Sequence, residues 1–166
     1  MPAVTAVRSA SAEDAAQMAA VHVRSWRETY RGVMSDDVLD DPGLLAARQR
    51  FWTRVLTDDR WSSSRVVVAE ADSRIIGLAM SGPPRVPEAG IDAQLLVLYV
   101  AAEYHGRGAG AALLTSVLDP REAAVVWVVD PNPRAQAFYR KHGFVPDGRR
   151  TEEDGVAEIR LSRFPT

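Results

Sequence analysis

The chain has 166 residues, with 20 Lys and Arg against 22 Asp and Glu, so its formal net charge is −2. This length fits one globular domain, and the near-neutral charge disfavours a dedicated nucleic-acid binder. The absence of Cys excludes disulfides, thiolate metal sites and a cysteine nucleophile. The longest apolar runs, residues 95–102 and 123–129, are too short to span a membrane, and no signal peptide is evident. A soluble, cytoplasmic protein is therefore expected.

The N-terminal part of the chain predicts one strand and two helices. Residues 3–8 are typical of a short strand, and Ser11 with Asp14 three residues later is a capping-box pattern that starts a helix. Residues of this helix recur on one face, at Ala15, Met18, Ala19, His22 and Trp26. A second helix is predicted from Pro42 to about Thr57.

Three strands are predicted in the middle of the chain. Residues 65–71 and 74–80 form two of them, joined by a tight turn at Asp72–Ser73. Residues 94–100 are apolar on both faces, which predicts a buried central strand. The proline-rich and glycine-rich stretch Ser81–Gly90 is predicted to be a surface loop between strands.

The C-terminal part predicts two more helices, a strand and a hairpin. One helix covers Gly106–Leu118, a buried strand covers residues 123–129, and the hairpin covers residues 144–150 and 155–161. The second helix lies between that strand and the hairpin. The predicted order is β-α-α-β-β-β-α-β-α-β-β, an α/β fold in which one mixed sheet is flanked by helices, in a single domain over residues 1–166.

The most informative segment is a glycine-rich turn that follows the predicted central strand and reads His105-Gly106-Arg107-Gly108-Ala109-Gly110. Glycines let the backbone approach an anion closely, and the first N–H groups of the next helix are unpaired and point towards it. Arg107 can add a charged hydrogen bond. The segment therefore indicates a phosphate or pyrophosphate cradle, with a glycine-rich turn that binds nothing as the structural alternative.

A dinucleotide-binding fold is a competing interpretation of this turn. Gly106-x-Gly108-x-x-Ala111 matches the pattern G-x-G-x-x-A, and Asp130 closes the next predicted strand. That fold needs its glycine pattern near the start of a long series of strand–helix units. The chain after Gly110 is short and ends in a predicted hairpin, so this interpretation is disfavoured.

A second segment decides between the two interpretations. Asn132 is an N-cap residue, Pro133 takes the first helical position, and Gly143 lies just past the helix end. Together the two segments resemble the GNAT family of N-acetyltransferases. The turn resembles the family's loop [Q/R]-x-x-G-x-[G/A], with His105 in the first place, and the helix resembles N-x-x-A-x-x-F-Y-x-x-x-G-F. The resemblance is strongest over residues 94–145.

The resemblance implies an N-acetyltransferase that uses acetyl-CoA as cosubstrate and needs no metal. The acceptor, a primary amine of a small molecule or peptide, attacks the thioester directly in a ternary complex. In the family, the pyrophosphate binds the glycine turn, and the pantetheine arm binds a strand edge that is opened where strands four and five separate. The implied cosubstrate-binding residues are Leu98, Tyr99, Val100, His105, Gly106, Arg107, Gly108, Ala109, Gly110, Ala111 and Asn132.

The resemblance also implies roles in catalysis and acceptor binding. Tyr139 matches the tyrosine that protonates the departing thiolate, with packing beside Phe138 as its structural alternative. The first two helices usually shape the acceptor site, which points to Trp26, Glu28 and Tyr30. Trp61 and Trp127 are interpreted as packing residues. The aspartates that follow the first helix either attract a cationic amine or cap helices; they are Asp36, Asp37, Asp40 and Asp41.

The residue that deprotonates the amine stays open. Relatives often carry a Glu on the fourth strand, but residues 93–98 contain no carboxylate. Asp92, Glu28, His22 and a chain of water molecules are the candidates. Two other functions also stay open: transfer from another acyl-CoA donor, and a CoA-binding regulatory domain without catalysis. Neither a nucleic-acid nor a membrane partner is expected, and because relatives are often dimers a homodimer stays open.

Overall fold

The computed structural model describes residues 6–166, so residues 3–5 of the first predicted strand lie outside the described residues. Seven strands form one sheet in the order β1-β2-β3-β4-β5-β7-β6. The strands are β1 (Ala6–Ser9), β2 (Arg65–Ala71), β3 (Arg74–Gly82), β4 (Ala93–Val100), β5 (Ala124–Val129), β6 (Val145–Glu153) and β7 (Val156–Arg163). Five α-helices accompany them within residues 6–166: α1 (Ala15–Tyr30), α2 (Asp36–Leu39), α3 (Leu44–Thr57), α4 (Ala109–Val117) and α5 (Pro133–Lys141).

Neighbouring strands run antiparallel in every pair except β4 and β5, which are parallel. The predicted fold class, a mixed α/β sheet flanked by helices, is therefore confirmed. A dinucleotide-binding fold has a mostly parallel sheet, so it is excluded. Within residues 6–166, no helix combines the length and the apolar character needed to cross a membrane.

Three details of the helices differ from the sequence prediction. The four-residue helix α2 was not predicted; the Ser35 hydroxyl caps it by accepting the N–H of Asp37. Helix α3 begins at Leu44 after Gly43, so Pro42 lies outside it. Helix α4 begins only at Ala109, because the residues before it form the glycine turn.

The helices cover both faces of the sheet. Helices α1 and α3 pack on one face, where Met18 and Trp52 meet Leu78 and Met80 of β3. Helices α4 and α5 pack on the opposite face, in a cluster built around buried apolar side chains; these include Leu113, Leu114, Val126, Phe144 and Leu161. The sheet is thus the middle layer of three, and each face has its own helices.

The sheet separates between β4 and β5. These strands pair only over Ala93–Ala124, Gln94–Val125 and Leu95–Val126. A β-bulge then leaves one extra residue, Leu96, in β4 opposite β3. Beyond it β4 stays with β3 and β5 stays with β7. The prediction of a strand buried on both faces over residues 94–100 is therefore right for residues 94 and 95 and wrong for residues 96–100, which are half-buried.

Candidate active site

A cavity of about 770 Å³ lies where β4 and β5 separate. Its walls come from residues 95–100 of β4, residues 126–129 of β5, the glycine turn, and helices α1 and α5. Strand separation alone does not make a pocket; here two helix layers close it from opposite faces of the sheet. The cavity is large enough for a cofactor-sized ligand.

The edge of β4 presents backbone groups to this cavity. The Ala101 N–H donates to the Ile76 carbonyl of β3 at 2.8 Å. Because backbone groups alternate in direction along a strand, those of Val100 and Leu98 point away from β3 and into the gap. The predicted open edge at residues 98–100 is present in this form.

His105 modifies that edge in a way that the sequence did not predict. Its Nε2 donates to the Val100 carbonyl at 2.7 Å. The imidazole therefore joins the start of the glycine turn to the end of β4. It also leaves the N–H groups of Leu98 and Val100, together with the Leu98 carbonyl, as the polar groups of this edge that face the gap.

The glycine turn has the backbone conformation expected of an anion cradle. Gly106 and Gly108 have φ of 74° and 85°, a region that side chains disfavour. Helix α4 starts directly afterwards, and its first N–H groups have no partner within the helix, since the Ala112 N–H is the first to bond back, to Gly108. The exposed Arg107 guanidinium lies 5.7 Å from the centre of the Tyr104 ring.

Gly110, the third glycine of the turn, has a different structural role. A Cβ at Gly110 would lie 3.2 Å from Cε2 of Phe138, so glycine at this position lets α5 pack closely against α4. Gly106 and Gly108 have no atom within 4 Å of such a Cβ, so only their backbone conformation requires glycine. Gly106 and Gly108 thus give the turn a backbone conformation that fits a phosphate group, whereas Gly110 allows α4 and α5 to pack closely.

Asn132 sits at the start of α5 and on the cavity wall. Its Oδ1 accepts the N–H of Ala135 at 3.2 Å, which is the N-cap contact that the sequence predicts. At the other end of the helix, Gly143 adopts φ of 90° and the Phe144 N–H donates to the Tyr139 carbonyl. Both predicted boundaries of α5 are therefore present.

Tyr139 lies on the same wall, with 7% of its surface exposed. Its ring packs against Phe138 and Phe144, with centroids 5.2 and 5.8 Å away. Within residues 6–166 its hydroxyl makes no hydrogen bond, although it borders the cavity. Burial raises the pKa of Tyr139 well above its ordinary value, so the phenol is protonated at neutral pH. This hydroxyl can donate a proton inside the cavity.

Two further tyrosines approach the gap from the α1 face. The Tyr99 hydroxyl accepts the indole N–H of Trp26 at 2.9 Å and lies 3.5 Å from the Tyr30 hydroxyl. Burial raises the pKa of both Tyr30 and Tyr99. Of the predicted acceptor residues, Tyr30 and Glu28 line the cavity. Trp26 does not line the cavity, and its indole N–H donates to the Tyr99 hydroxyl instead.

The candidate bases differ in their access to the cavity. Glu28 is the one carboxylate among the described residues that line it, and its Oε1 accepts Arg24 Nε at 2.9 Å. His22 is 3% exposed, its Nδ1 accepts the indole N–H of Trp52, and burial lowers its pKa to about 3. Asp92 accepts the Ala123 N–H beside the first residue of β4, at the far end of the strand from Tyr99. Only Glu28 can therefore reach a substrate in the cavity directly.

The aspartates that follow α1 make contacts within the helix connection. Arg31 pairs with Asp36 at 3.1 Å and with Asp40 at 2.8 Å. Asp41 accepts the Gly43 N–H at the start of α3. None of the four aspartates lines the cavity. Their contacts favour a role in the helix connection over acceptor binding.

A sequence model described as an acetyltransferase (GNAT) domain matches residues 41–162 of the chain. The chain belongs to the GNAT family. This GNAT protein is 29% identical over 164 residues to the uncharacterized N-acetyltransferase YuaI of Bacillus subtilis, covering 93% of the chain and 87% of the relative. It is 36% identical over 148 residues to an uncharacterized N-acetyltransferase of Mycobacterium bovis, covering 83% and 87%. This GNAT protein is therefore an N-acetyltransferase.

Solved structures share the fold of this GNAT enzyme. The PaiA N-acetyltransferase of Thermoplasma acidophilum, in complex with coenzyme A, superposes with a TM-score of 0.71 at 22% identity, covering 93% of this chain and 96% of that one. A GNAT-family acetyltransferase of Desulfovibrio desulfuricans gives a TM-score of 0.72 at 20% identity, covering 97% and 99%. Both align over nearly the whole chain, so the similarity extends to the entire sheet.

Sequence reasoning missed several residues of the cavity wall. Trp127 of β5 was interpreted as packing, but it is half-buried and lines the cavity because β5 has no partner on that side. Ser25 and Thr29 of α1 also line the cavity. The available signal was their spacing on the helix: Ser25 lies three residues before Glu28 and four before Thr29, and residues three and four apart share a helix face.

Proposed function

We propose that this GNAT enzyme transfers an acetyl group from acetyl-CoA to a primary amine of a small molecule or peptide. The observation that carries the proposal is one cavity that joins three features. These are the open edge of β4, the glycine turn, and the protonated hydroxyl of Tyr139. The coenzyme A found in the similar PaiA structure supports the choice of cosubstrate.

The residues of the cavity fit the parts of acetyl-CoA. The N–H groups of Ala109, Gly110 and Ala111 at the start of α4 would hold the pyrophosphate, with Arg107 beside them. Backbone groups of Leu98 and Val100 would bind the amides of the pantetheine arm as an added strand. His105 would fix the end of that edge, and Asn132 borders the opposite wall.

Acetyl-CoA supplies an activated thioester when bound. The acceptor nitrogen forms the new C–N bond while the C–S bond breaks, and a backbone N–H of the β4 edge donates to the carbonyl oxygen as negative charge develops there. The Tyr139 hydroxyl donates its proton to the departing sulfur, and the second proton that the nitrogen loses as the amide forms passes through solvent to restore the phenol. Glu28 accepts the proton that the acceptor ammonium must lose before its nitrogen can attack.

The test is an assay for release of free CoA across a panel of primary amines, with product identified by mass spectrometry. Tyr139→Phe should lower kcat by about 100-fold or more, the range expected for loss of a general acid, while the Kd for acetyl-CoA stays within about twofold. An unchanged kcat in a variant that binds acetyl-CoA normally would remove Tyr139 from the chemistry.

The same assay separates two other functions. Binding of acetyl-CoA without CoA release for any amine would indicate a CoA-binding regulatory domain. Faster turnover with propionyl-CoA or a longer acyl-CoA than with acetyl-CoA would indicate a different acyl donor. Each outcome leaves the fold and the cavity as described and changes only the reaction.

A further inference from the structure

Ser25 of α1 is a buried polar residue without a partner. It is 4% exposed and forms part of the cavity wall. Within the described part of the chain, its Oγ has no hydrogen-bond partner. A buried hydroxyl that makes no hydrogen bond is destabilising, and buried polar groups in folded proteins are nearly always paired. The Ser25 hydroxyl is therefore an unpaired polar group on a residue that lines the cavity.

Other hydroxyls on helices of this protein behave differently. Each of four donates to the carbonyl four residues earlier, at 2.7 to 2.9 Å, which is the usual arrangement in a helix; they are Thr53, Thr57, Thr115 and Ser116. Ser25 makes no such bond to Val21. Ser25 thus has a buried hydroxyl that is not bonded to its own helix, on a residue that lines the cavity.

The two helix layers form opposite walls of the cavity, one beside the proposed acetyl-CoA site and one beside the proposed acceptor site. The glycine turn and α5, which would hold acetyl-CoA, lie with the helices on one face of the sheet. Helix α1 lies on the opposite face, where it carries Ser25, Glu28 and Tyr30 to the cavity. Ser25 therefore lies on the side from which an acceptor would enter.

Glu28 supplies a negative charge to the cavity wall that α1 forms. Its Oε1 is bonded to Arg24 Nε, and Arg24 in turn holds Glu103 at 2.9 Å in the turn after β4. The second oxygen of Glu28 makes no hydrogen bond with residues 6–166. This oxygen can accept from an ammonium group, while Arg24 keeps the carboxylate in place.

We propose that Ser25 and Glu28 form one acceptor subsite, in which Glu28 binds the amine and the Ser25 hydroxyl hydrogen-bonds a second polar group of the acceptor. Side chains three residues apart on a helix lie about 5–6 Å apart at Cβ. This spacing selects a primary amine that carries a hydroxyl or amide group two or three carbons from its nitrogen. The inference rests on the proposed acetyl transfer and narrows its substrate class.

Matched pairs of amines test the proposal. Ethanolamine is compared with n-propylamine, and 3-aminopropan-1-ol with n-butylamine, by kcat/KM at saturating acetyl-CoA. The wild-type enzyme should favour the hydroxyl amine of at least one pair by about 3- to 10-fold, the usual effect of one hydrogen bond. Ser25→Ala should abolish this preference, so that the two amines of the pair give kcat/KM values within about twofold of each other.

Ser116→Ala is the matched control, because Ser116 is exposed on α4 and bonded within its own helix. It should keep the wild-type preference. A second measurement does not depend on turnover: with saturating CoA, the hydroxyl amine should raise the unfolding temperature of the wild-type protein more than the alkylamine does. This difference should disappear in Ser25→Ala, whose own unfolding temperature should not fall, because it loses an unpaired hydroxyl.

Other outcomes contradict the proposal in distinguishable ways. No preference in the wild-type enzyme, or the same preference in Ser25→Ala, overturns the subsite and leaves acetyl transfer intact. A raised KM for acetyl-CoA in Ser25→Ala with an unchanged amine preference assigns Ser25 to the cosubstrate and also overturns it. Failure of the wild-type enzyme to acetylate any amine refutes the proposed function itself.

Discussion

The central residues of the site are three tyrosines from three different elements. Tyr30 comes from α1, Tyr99 from β4 and Tyr139 from α5, and burial raises the pKa of each. All three are therefore neutral hydroxyls at physiological pH. A cluster of phenols can donate hydrogen bonds, and the proton that the proposed reaction needs, without placing a fixed charge inside the sheet.

His22 supports this cluster and makes the stability of the protein depend on pH. Its ring lies 5.0 Å from that of Tyr99, and its Nδ1 must be unprotonated to accept from Trp52. Burial lowers its pKa to about 3, whereas a histidine in the unfolded chain titrates near 6.5. Between these values the unfolded state binds a proton that the native state does not bind.

We expect this group to lower the free energy of unfolding as the pH falls from about 6.5, by about 1.4 kcal/mol per pH unit. Urea unfolding of the wild-type protein and of His22→Gln at pH 7, 6 and 5 measures the effect. The variant keeps an acceptor for Trp52 but cannot titrate, so its stability should fall less steeply. Identical pH dependence in the two proteins would contradict a depressed pKa.

Sequence patterns predict some of these residues and not others. Tyr139 is identified because its helix carries Asn132, Phe138 and Gly143 at recognisable spacing. The spacing of Ser25 from Glu28 predicts a shared helix face but not a free hydroxyl, because a serine on a helix usually bonds its own backbone. Whether it does so depends on packing that only the folded sheet defines. The contact of His105 with Val100 likewise depends on how the turn folds back on the strand.

At the level of elements, β4 is a strand with two environments. Gln94 and Leu95 are paired on both sides, whereas residues 97–100 pair with β3 alone. An apolar run such as residues 94–100 fits a fully paired strand equally well, so the separation could not be predicted from it. The bulge at Leu96 has no sequence signature, and α2 is too short for a helical period.

Hydrogen exchange of individual amides in β4 tests the proposed binding mode. In the free protein, the amides of Leu98 and Val100 should exchange faster than those of Tyr99 and Ala101, which face β3. Saturating CoA should slow exchange at Leu98 and Val100 while Tyr99 and Ala101 change little. Measurement by NMR resolves the four positions.

Two results would contradict this expectation. Equal protection of all four amides without ligand would mean that the edge is not open in solution. If Leu98 and Val100 exchange faster but CoA does not slow them, the ligand does not bind along β4. The amide of Leu95, which lies where β4 and β5 still pair, is the internal reference for full pairing.

At the level of the whole molecule, we expect the fold to distinguish CoA from NAD, two nucleotide cofactors that share a pyrophosphate. The glycine turn alone matches a dinucleotide pattern, but the gap in the sheet fits an added strand, which NAD cannot supply. We expect acetyl-CoA and CoA at about 100 times their Kd to raise the unfolding temperature by about 5–10 °C. NAD at the same concentration should give no comparable shift.

Pantetheine, which lacks the pyrophosphate, is the informative control for this measurement. A smaller shift with pantetheine than with CoA at equal concentration would indicate that the glycine turn contributes to binding. Equal stabilisation by NAD and CoA would contradict the proposed binding along β4 and would assign recognition to the glycine turn alone.

The separation of β4 and β5 also bears on aggregation. An unpaired strand edge at the outside of a sheet can recruit strands from other chains. Here the unpaired edge of β4 lies inside the sheet, with β5 across the gap and helices on both faces. Helices on both faces obstruct another protein's strand, whose side chains project towards both faces, whereas the narrow arm of pantetheine carries only small side groups. The fold thus keeps the pairing capacity of an open edge for a small ligand and denies it to neighbouring proteins.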